Sequence, residues 1–194
     1  MGVDMSTSVE ILVGTMIAAS VLPGVIYGQT KAEEPINTTV CDLVKNPKRY
    51  NGKIIIVRAP IQIAFENFGL SVSECAEKEI DYVWLEYGRG PKRQPTIWCC
   101  GDMVPRDPLV LVQNKEFHRF HHFITAEKSA KGCYDCYLYH VTATLTGRFD
   151  ALEPKPFTLC GFGHLGDACG RLVIREVSDV VANPIDPAVY EKNK

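Results

Sequence analysis

Eight cysteines are the residues of this chain with the clearest capacity for chemistry. An even number of cysteines predicts disulfide bonds in an exported protein, whereas in a reducing compartment it indicates metal binding or catalysis. The compartment therefore decides what these side chains do. They are Cys41, Cys75, Cys99, Cys100, Cys133, Cys136, Cys160 and Cys169.

Cys133 and Cys136 have the C-x-x-C spacing, and three interpretations of it stay open. A thioredoxin-like site needs its first cysteine at the start of a helix, which lowers the pKa of the thiol, but a strand pattern follows here. A zinc site would add Cys99 and Cys100, because structural zinc takes four ligands in a tetrahedron. The preferred interpretation is structural bridging, with Cys75 bonded to Cys99 or Cys100.

Cys160 and Cys169 enclose a glycine-rich stretch, GFGHLGDA, and a disulfide between them is predicted. Such a bridge removes conformational entropy from a loop that its glycines otherwise leave free. One hypothesis makes His164, Gly161 and Gly163 part of a ligand-recognition loop. The alternative is that His164 holds the shape of the loop by hydrogen bonding. A third hypothesis gives His164 an acid or base role in an uncharacterised enzyme.

Two histidines, His118 and His122, lie four residues apart in a helical pattern and so share one face. Two histidines at this spacing can bind a metal. The motif lacks the intervening glutamate that serves as the base in zinc hydrolases, so surface histidines beside a phenylalanine-rich core face are the preferred interpretation. His121 is expected nearer the core. No Ser-His-Asp order, paired carboxylates or phosphate loop indicates a catalytic residue.

The charge balance argues against nucleic acid as a partner. The chain has a formal net charge of −2 and a pI near 6.2, so no strongly basic face is expected. One local basic cluster, with Arg89, Lys92 and Arg93, follows a strand that carries Trp84. The cluster could bind a phosphate or an acidic ligand, or be a solvated loop. Trp84 could be core or the floor of a binding face.

The N-terminal residues 1–32 contain the most apolar run of the chain, residues 11–27. This run is short for a membrane span and suits the central part of a signal peptide. Asp4 and Glu10 lie where a signal peptide is normally positive. We expect a cleaved signal peptide and a periplasmic or extracellular protein; the alternatives are a retained membrane anchor and a cytosolic core segment.

The elements that position these residues begin with a long strand over residues 51–65. Apolar residues occupy every second position after the Asn51-Gly52 turn signal, which predicts a half-buried strand. Pro60 cannot donate a hydrogen bond to a neighbouring strand and therefore predicts an edge, a bulge or a bend there. A long bent strand can pair with neighbours on both sides, as a small closed barrel requires.

Further elements follow in an order that predicts a fold class. The pattern is strand, strand, strand, helix, strand, strand, which is the order of the five-stranded OB-fold barrel, with its helix between strands three and four. We therefore predict a mainly β, OB-like barrel over residues 33–182 and a polar tail over 183–194. After the first strand, the predicted elements are strands at 68–73 and 81–87, a helix at 114–130, and strands at 137–149 and 172–181.

Several segments carry a resemblance to a family of exported bacterial OB-fold-like proteins without an assigned function. The similar residues are CDLVKNPKRYNGKIIIVRAPI (41–61), GRFDA (147–151), GFGHLG (161–166) and LVIREVSDV (172–180). The resemblance implies a small domain of the cell envelope and implies no activity, cofactor or catalytic residue.

These observations lead to a preferred hypothesis and two alternatives. The preferred one is a non-enzymatic module of the cell envelope that binds a protein or polymer through its second and third strands and the loop at 150–171. It requires no cofactor and touches the membrane only through the N-terminal segment. The alternatives are a zinc-binding protein that uses the cysteine and histidine clusters, and the enzyme with His164.

Overall fold

The computed structural model describes residues 34–64, 67–90, 109–126, 137–153, 160–186 and 188–191. This part of the chain is mainly β, as predicted. In chain order the elements are β1 (Ile36–Thr38), α1 (Val40–Lys45), α2 (Pro47–Tyr50), β2 (Lys53–Ala64), β3 (Asn67–Leu70), β4 (Val83–Tyr87), α3 (Lys115–Thr125), β5 (Tyr139–Ala151), β6 (Gly170–Pro184) and α4 (Ala188–Glu191).

The strands form one mixed sheet of six strands rather than the clean five-stranded barrel that was predicted. Their order is β1-β2-β3-β4-β6-β5, and β5 pairs with β2 as well. The pairs β1–β2 and β4–β6 are parallel and the others are antiparallel. The sixth strand is β1, which the sequence analysis missed because three residues are too few to show an alternating pattern.

β2 pairs with two strands in succession, and Pro60 marks the change. Its first part, from Lys53 to Pro60, is antiparallel to β5. Its second part, from Ile61 to Ala64, is antiparallel to β3. Because proline has no N–H to donate, it is tolerated where a strand changes from one neighbour to another. The prediction of a long strand with two partners is confirmed.

α3 lies between β4 and β5 in the chain, as predicted. Asn114 caps it, since its side chain accepts a hydrogen bond from the N–H of Phe117 at 2.8 Å. Phe117, Phe120 and Ile124 are buried on one face of the helix. Ala126 is already extended, so the helix ends at Thr125 and is shorter than predicted.

The core contains the inward phases of β2 and β5 that the alternation predicted. Ile55, Val57, Leu145 and Phe149 are fully buried. The inward position between the last two is Gly147, where the pairing with β6 shifts register. A Cβ atom at this position would collide with the backbone carbonyl of Val173, so glycine permits the close approach of the two strands.

Cys41 and Cys75 form a disulfide bond with a Cα–Cα distance of 5.2 Å. The predicted bond from Cys75 to Cys99 or Cys100 is therefore wrong. The bond joins α1 to the connection that follows β3, across 34 residues of chain. Sequence spacing does not determine disulfide connectivity, because the partners depend on which elements meet in the fold.

Both disulfides seen among the described residues are compatible with an oxidising compartment. Within the described ranges, no helix is long and apolar enough to cross a membrane.

Replacing Gly147 with alanine tests the close contact between β5 and β6. The added methyl group has to displace the backbone at Val173, and such overpacking costs about 1–3 kcal/mol. We expect the free energy of unfolding in urea to fall by about 2 kcal/mol. Gly52→Ala measures the backbone cost alone, since a methyl group there meets nothing within 4 Å but φ +75° costs a residue with a Cβ atom roughly 1–2 kcal/mol. A loss of less than about 1 kcal/mol in Gly147→Ala would contradict the steric explanation.

Candidate functional site

The candidate site lies on the surface of β4, β6 and β5 that points away from the core. Side chains alternate along a strand, so every second residue of these strands faces outwards. The outward residues form two rows across β4, β6 and β5. The first row is Trp84, Arg171 and Asp150, and the second row is Glu86, Val173 and Arg148. We call this surface, formed by Trp84, Glu86, Arg148, Asp150, Arg171 and Val173, the outer face.

Arg171 is the centre of a charged network on the outer face. Its residue is only 7% exposed, and it is the one buried charged residue in the described part of the chain. Nη1 donates to Glu86 Oε2 at 2.9 Å, and Nη2 donates to Asp150 Oδ2 at 2.6 Å. Arg148 binds the same carboxylate through Nε at 2.7 Å and Nη2 at 2.9 Å. Among the described residues of this network, two positive and two negative groups offset each other.

Two opposing effects set the pKa of Asp150. Burial disfavours the ionised carboxylate and would raise its pKa, but the hydrogen bonds and charges of Arg148 and Arg171 outweigh burial and lower the pKa below its ordinary value. The carboxylate is therefore ionised in the folded protein at neutral pH. Its contribution to stability is present above the unfolded-state pKa and is lost as the pH falls through the folded-state pKa.

The loop after β5 returns over the outer face and is closed by a disulfide. Cys160 and Cys169 are bonded, nine residues apart, which is the pairing that the sequence predicts. Inside the loop, Phe162 and Ala168 exchange two backbone hydrogen bonds of 3.1 and 2.9 Å. Gly161 N–H donates to the carbonyl of Gly166 at 2.7 Å. The disulfide and these bonds make the loop, residues 160–169, a small rigid hairpin.

The loop rests on the outer face through two contacts. The ring of Phe162 lies over the guanidinium of Arg171, with 4.7 Å between Cζ and the ring centroid. Gly163 lies on the indole of Trp84, so that an added Cβ would be 2.8 Å from Cε3. Gly163 also has φ +77°, a conformation that glycine adopts without steric cost. Trp84 and Gly163, both predicted site residues, are thus in contact.

Leu165 forms the tip of the loop, and sequence reasoning missed it. It is 74% exposed, the largest value among the exposed large apolar side chains described. Its backbone has φ 55° and ψ 7°, in the left-handed region. A residue with a Cβ atom pays roughly 1–2 kcal/mol for this conformation. The sequence did contain a signal for this residue, since Leu165 is a single leucine among glycines and polar residues in a predicted recognition loop.

The remaining predicted loop residues differ in how they fit the site. Gly161 has φ +123° and lies beside Leu152 at the base of the loop. His164 begins the turn at the tip, and its side chain lies outside what the structure describes. Arg89 is exposed, lies beyond the end of β4, and bonds through its backbone to Leu109. Arg93 lies outside the described residues.

The predicted metal ligands do not form a site among the residues described. Cys99, Cys100, Cys133 and Cys136 all lie outside the described ranges. His118 and His122 are exposed on α3. No group of three or more His, Cys, Asp or Glu side chains within the described ranges could hold a metal ion.

A second cluster of titratable side chains packs α3 against the sheet. The hydroxyl of Tyr87 is 3.4 Å from Nδ1 of His121, whose ring stacks on Phe117. Burial raises the pKa of Tyr87 and, together with the nearby His118, lowers the pKa of His121. Both rings are therefore neutral at ordinary pH, and His121 lies on the core side of α3 as predicted. Their role is packing.

Arg171→Met tests the network beneath the loop. Methionine keeps most of the length of the side chain but withdraws a buried positive charge from two half-buried carboxylates, and breaking a buried pair costs about 3–5 kcal/mol. Arg148 still binds Asp150, so we expect a loss of about 3 kcal/mol in the free energy of unfolding at about pH 7.

The same loss should shrink in acid. Protonation of Asp150 removes a charge that Arg171 compensates, so the two proteins converge as the pH falls through the lowered folded-state pKa of Asp150. Urea unfolding at several pH values measures this convergence. Arg89→Met, at an exposed arginine, is the control and should change the stability by less than about 0.5 kcal/mol. A loss independent of pH would contradict an electrostatic role for Arg171.

Comparison with known proteins assigns no relative to this arrangement. No protein-family model, no curated protein and no solved structure matches the chain. A function has to follow from the chemistry of the chain's own residues.

Proposed function

We propose that this chain is a non-enzymatic binding module of the cell envelope and that it presents the loop at 160–169 to a protein or polymer ligand. The observation that carries the proposal is Leu165. It combines the highest exposure of a large apolar side chain with a backbone conformation that disfavours leucine. Strain of this kind persists where the surroundings enforce it, and it concentrates at functional sites.

The contacts that hold the loop support the proposal that it presents Leu165 to a ligand. The Cys160–Cys169 bond closes it, Phe162 packs on Arg171, and Gly163 packs on Trp84. A leucine on a rigid base loses little entropy when it enters a pocket of a partner. Glycine or asparagine would occupy the same left-handed position at lower cost, so the fold alone gives no reason for leucine.

The strand pairings support the finer part of the proposal, an OB-like barrel. The pairings run from β2 through β3, β4, β6 and β5 and return to β2, with β4 and β6 parallel and α3 placed between β4 and β5. On this proposal β1 is an addition to the five-stranded plan. In an OB-fold, the loop between the last two strands borders the ligand face, and here that loop carries Leu165.

The chemistry of the loop and the outer face favours a partner with an apolar pocket. The described charges beneath the loop, two positive and two negative, offset each other, and the chain as a whole is slightly acidic. Polyanions such as nucleic acid are therefore not the proposed ligand. An exposed leucine beside a glycine that packs on a half-buried tryptophan suits an apolar groove on a protein better than a polar polymer surface, because burial of apolar surface is favourable.

The cellular location belongs to the same proposal. Two disulfide bonds support export to an oxidising compartment, either by a cleaved signal within residues 1–32 or by a retained anchor there. The resemblance to exported proteins agrees with this location. No cofactor is proposed, and the zinc alternative rests on the four cysteines outside the described residues.

Leu165→Asn separates binding from folding. Asparagine tolerates the left-handed conformation, so the variant should be as stable as the parent or up to about 1 kcal/mol more stable. Removing the apolar anchor should reduce capture by at least about tenfold, which is the typical effect of losing a central contact. Immobilised protein is incubated separately with detergent-solubilised envelope proteins and with purified cell-wall polymer, and bound material is quantified.

Val189→Asn is the matched control, because Val189 is also exposed but lies in α4. It should leave capture unchanged. Retention of every captured species by Leu165→Asn, in a variant that is no less stable than the parent, would refute the proposal. Loss of capture together with unfolding would do the same, since it would give Leu165 a structural role.

A further inference from the structure

A β-bulge interrupts the pairing of β5 and β6 on the side of the sheet where α3 begins. Thr142 pairs with Val181 and Thr144 pairs with Ser178, so β6 has one more residue than β5 between these pairs. The extra residue leaves the backbone of Asp179 and Val180 out of the ladder. Asp179 has φ +47° and is the second residue other than glycine with a left-handed backbone. Bulges of this kind often lie beside binding sites, where they redirect side chains.

Two charged side chains satisfy the backbone groups that the bulge releases. Arg58 of β2 reaches across β5, and its Nη1 donates to the carbonyl of Asp179 at 2.9 Å and to the hydroxyl of Thr144 at 3.3 Å. Glu116, in the first turn of α3, accepts from the N–H of Val180 at 3.5 Å. The bulge therefore fixes one guanidinium and one carboxylate beside each other.

These residues border an open cleft of about 720 Å³. This volume lies within the range of small-molecule sites, which is about 300–1,000 Å³. Two arginines and two acidic residues contribute to its wall, together with a hydroxyl group and two valines. The lining residues are Arg58, Glu116, Arg119, Ser178, Asp179, Val180 and Val181.

Arg58 differs from the arginines of the outer face in its partners. Arg148 and Arg171 bind carboxylates, whereas the acceptors of Arg58 are a carbonyl and a hydroxyl, both neutral. Only Nη1 is used. Nε and Nη2 have no hydrogen-bond partner among the described residues, and together they form the edge of a guanidinium that matches a carboxylate with two parallel hydrogen bonds. The protein thus binds Arg58 through Nη1 and leaves the Nε and Nη2 donors available to a ligand.

The remaining charges of the cleft restrict the ligand. Arg119 lies 3.7 Å from Glu116 and partly compensates it. Asp179 is exposed, and its carboxylate is 3.4 Å from the hydroxyl of Ser178. A multiply charged anion such as phosphate would be repelled by the two carboxylates, whereas a ligand with one negative and one positive group would be attracted by both signs.

We infer that this cleft binds a small zwitterion, which is a free amino acid or a short peptide bound through its two charged ends. Arg58 binds its carboxylate side-on, and Asp179 accepts a hydrogen bond from its ammonium group. The site uses β2, the bulge of β6 and the start of α3, and it shares no residue with the loop at 160–169. The inference therefore stands independently of the proposed function.

The test uses four small probes on the intact protein. Diglycine carries both charges, glycylglycinamide lacks the carboxylate, N-acetyldiglycine lacks the ammonium, and free glycine is the single amino acid. The readout is the NMR signal of the side-chain Nε–H of Arg58, with the amide signals of residues 178–181. We expect saturable shifts with diglycine at a Kd of the order of millimolar, and binding at least about tenfold weaker for both the amide and the N-acetyl probe.

The variant Arg58→Lys keeps the positive charge and a donor for the carbonyl of Asp179. It cannot donate two parallel hydrogen bonds to one carboxylate. It should bind diglycine about tenfold more weakly than the parent, as followed by the amide signals. Arg49→Lys, at an exposed arginine over the Tyr50 ring, is the matched control and should bind normally.

Several outcomes would overturn the inference. One is the absence of saturable shifts with both diglycine and glycine, and another is equal affinity for diglycine and its amide. Tighter binding of inorganic phosphate than of diglycine would show a simple anion site instead. If Arg58→Lys fails to fold, the four probes on the parent protein still decide. Comparison of glycine with diglycine tells an amino-acid site from a peptide-end site.

Discussion

The double pairing of β2 is the constraint on which the rest of the structure depends. A 12-residue strand that pairs with β5 along its first part and with β3 along its second part joins the two ends of the sheet. β4 and β6 then have to fit between β3 and β5, and their parallel pairing supplies the connection, while β1 pairs with β2 alone. Pro60 lies where the partner changes, at a point where no backbone donor is required. The fully buried residues on the inner side of β2, such as Ile55 and Val57, fix its register because a shift by one residue would expose them.

Once the inner face is filled by apolar side chains, charged residues have to be accommodated on the outside, and the chain does this in two ways. Beneath the loop at 160–169, Arg171 is buried because two carboxylates and the ring of Phe162 surround it. At the bulge, Arg58 stays exposed and compensates a backbone carbonyl instead of a carboxylate. In the first arrangement the charged groups pair with one another and support the loop. In the second, Nε and Nη2 of Arg58 remain directed at solvent. This contrast explains why the outer face serves as a platform and the cleft as a candidate ligand site.

The sequence predicted those features that depend on local pattern. Alternation located β2 and β5 with their inward residues, and the Asn114 cap with the Phe117 and Phe120 spacing located α3. Features that depend on distant contacts were missed. Arg171 is the last residue of the predicted loop at 150–171, but it lies within β6, where Asp150, Glu86 and the loop at 160–169 bury it. The partner of Cys75 follows from the meeting of α1 with the connection after β3, which no spacing encodes. Of the candidate site, Trp84, Gly163 and the closed loop were predicted, whereas Leu165 was not.

Leu165 and Asp179 are the two described residues other than glycine with a positive φ, and each lies at one of the two candidate sites. Strain of this size needs compensation nearby. For Leu165 it comes from the disulfide and from the packing of Gly163 on Trp84, and for Asp179 from the hydrogen bond that Arg58 donates. Both devices hold a left-handed backbone, which leucine resists more strongly than aspartate, and both turn a side chain towards solvent. A fold that needed only these turns could have used glycine, as it does at Gly52, where φ is +75° and the surroundings are empty. Glycine would meet the backbone requirement of both turns at lower cost, so a role for the leucine and aspartate side chains in the two proposed sites would account for their presence there.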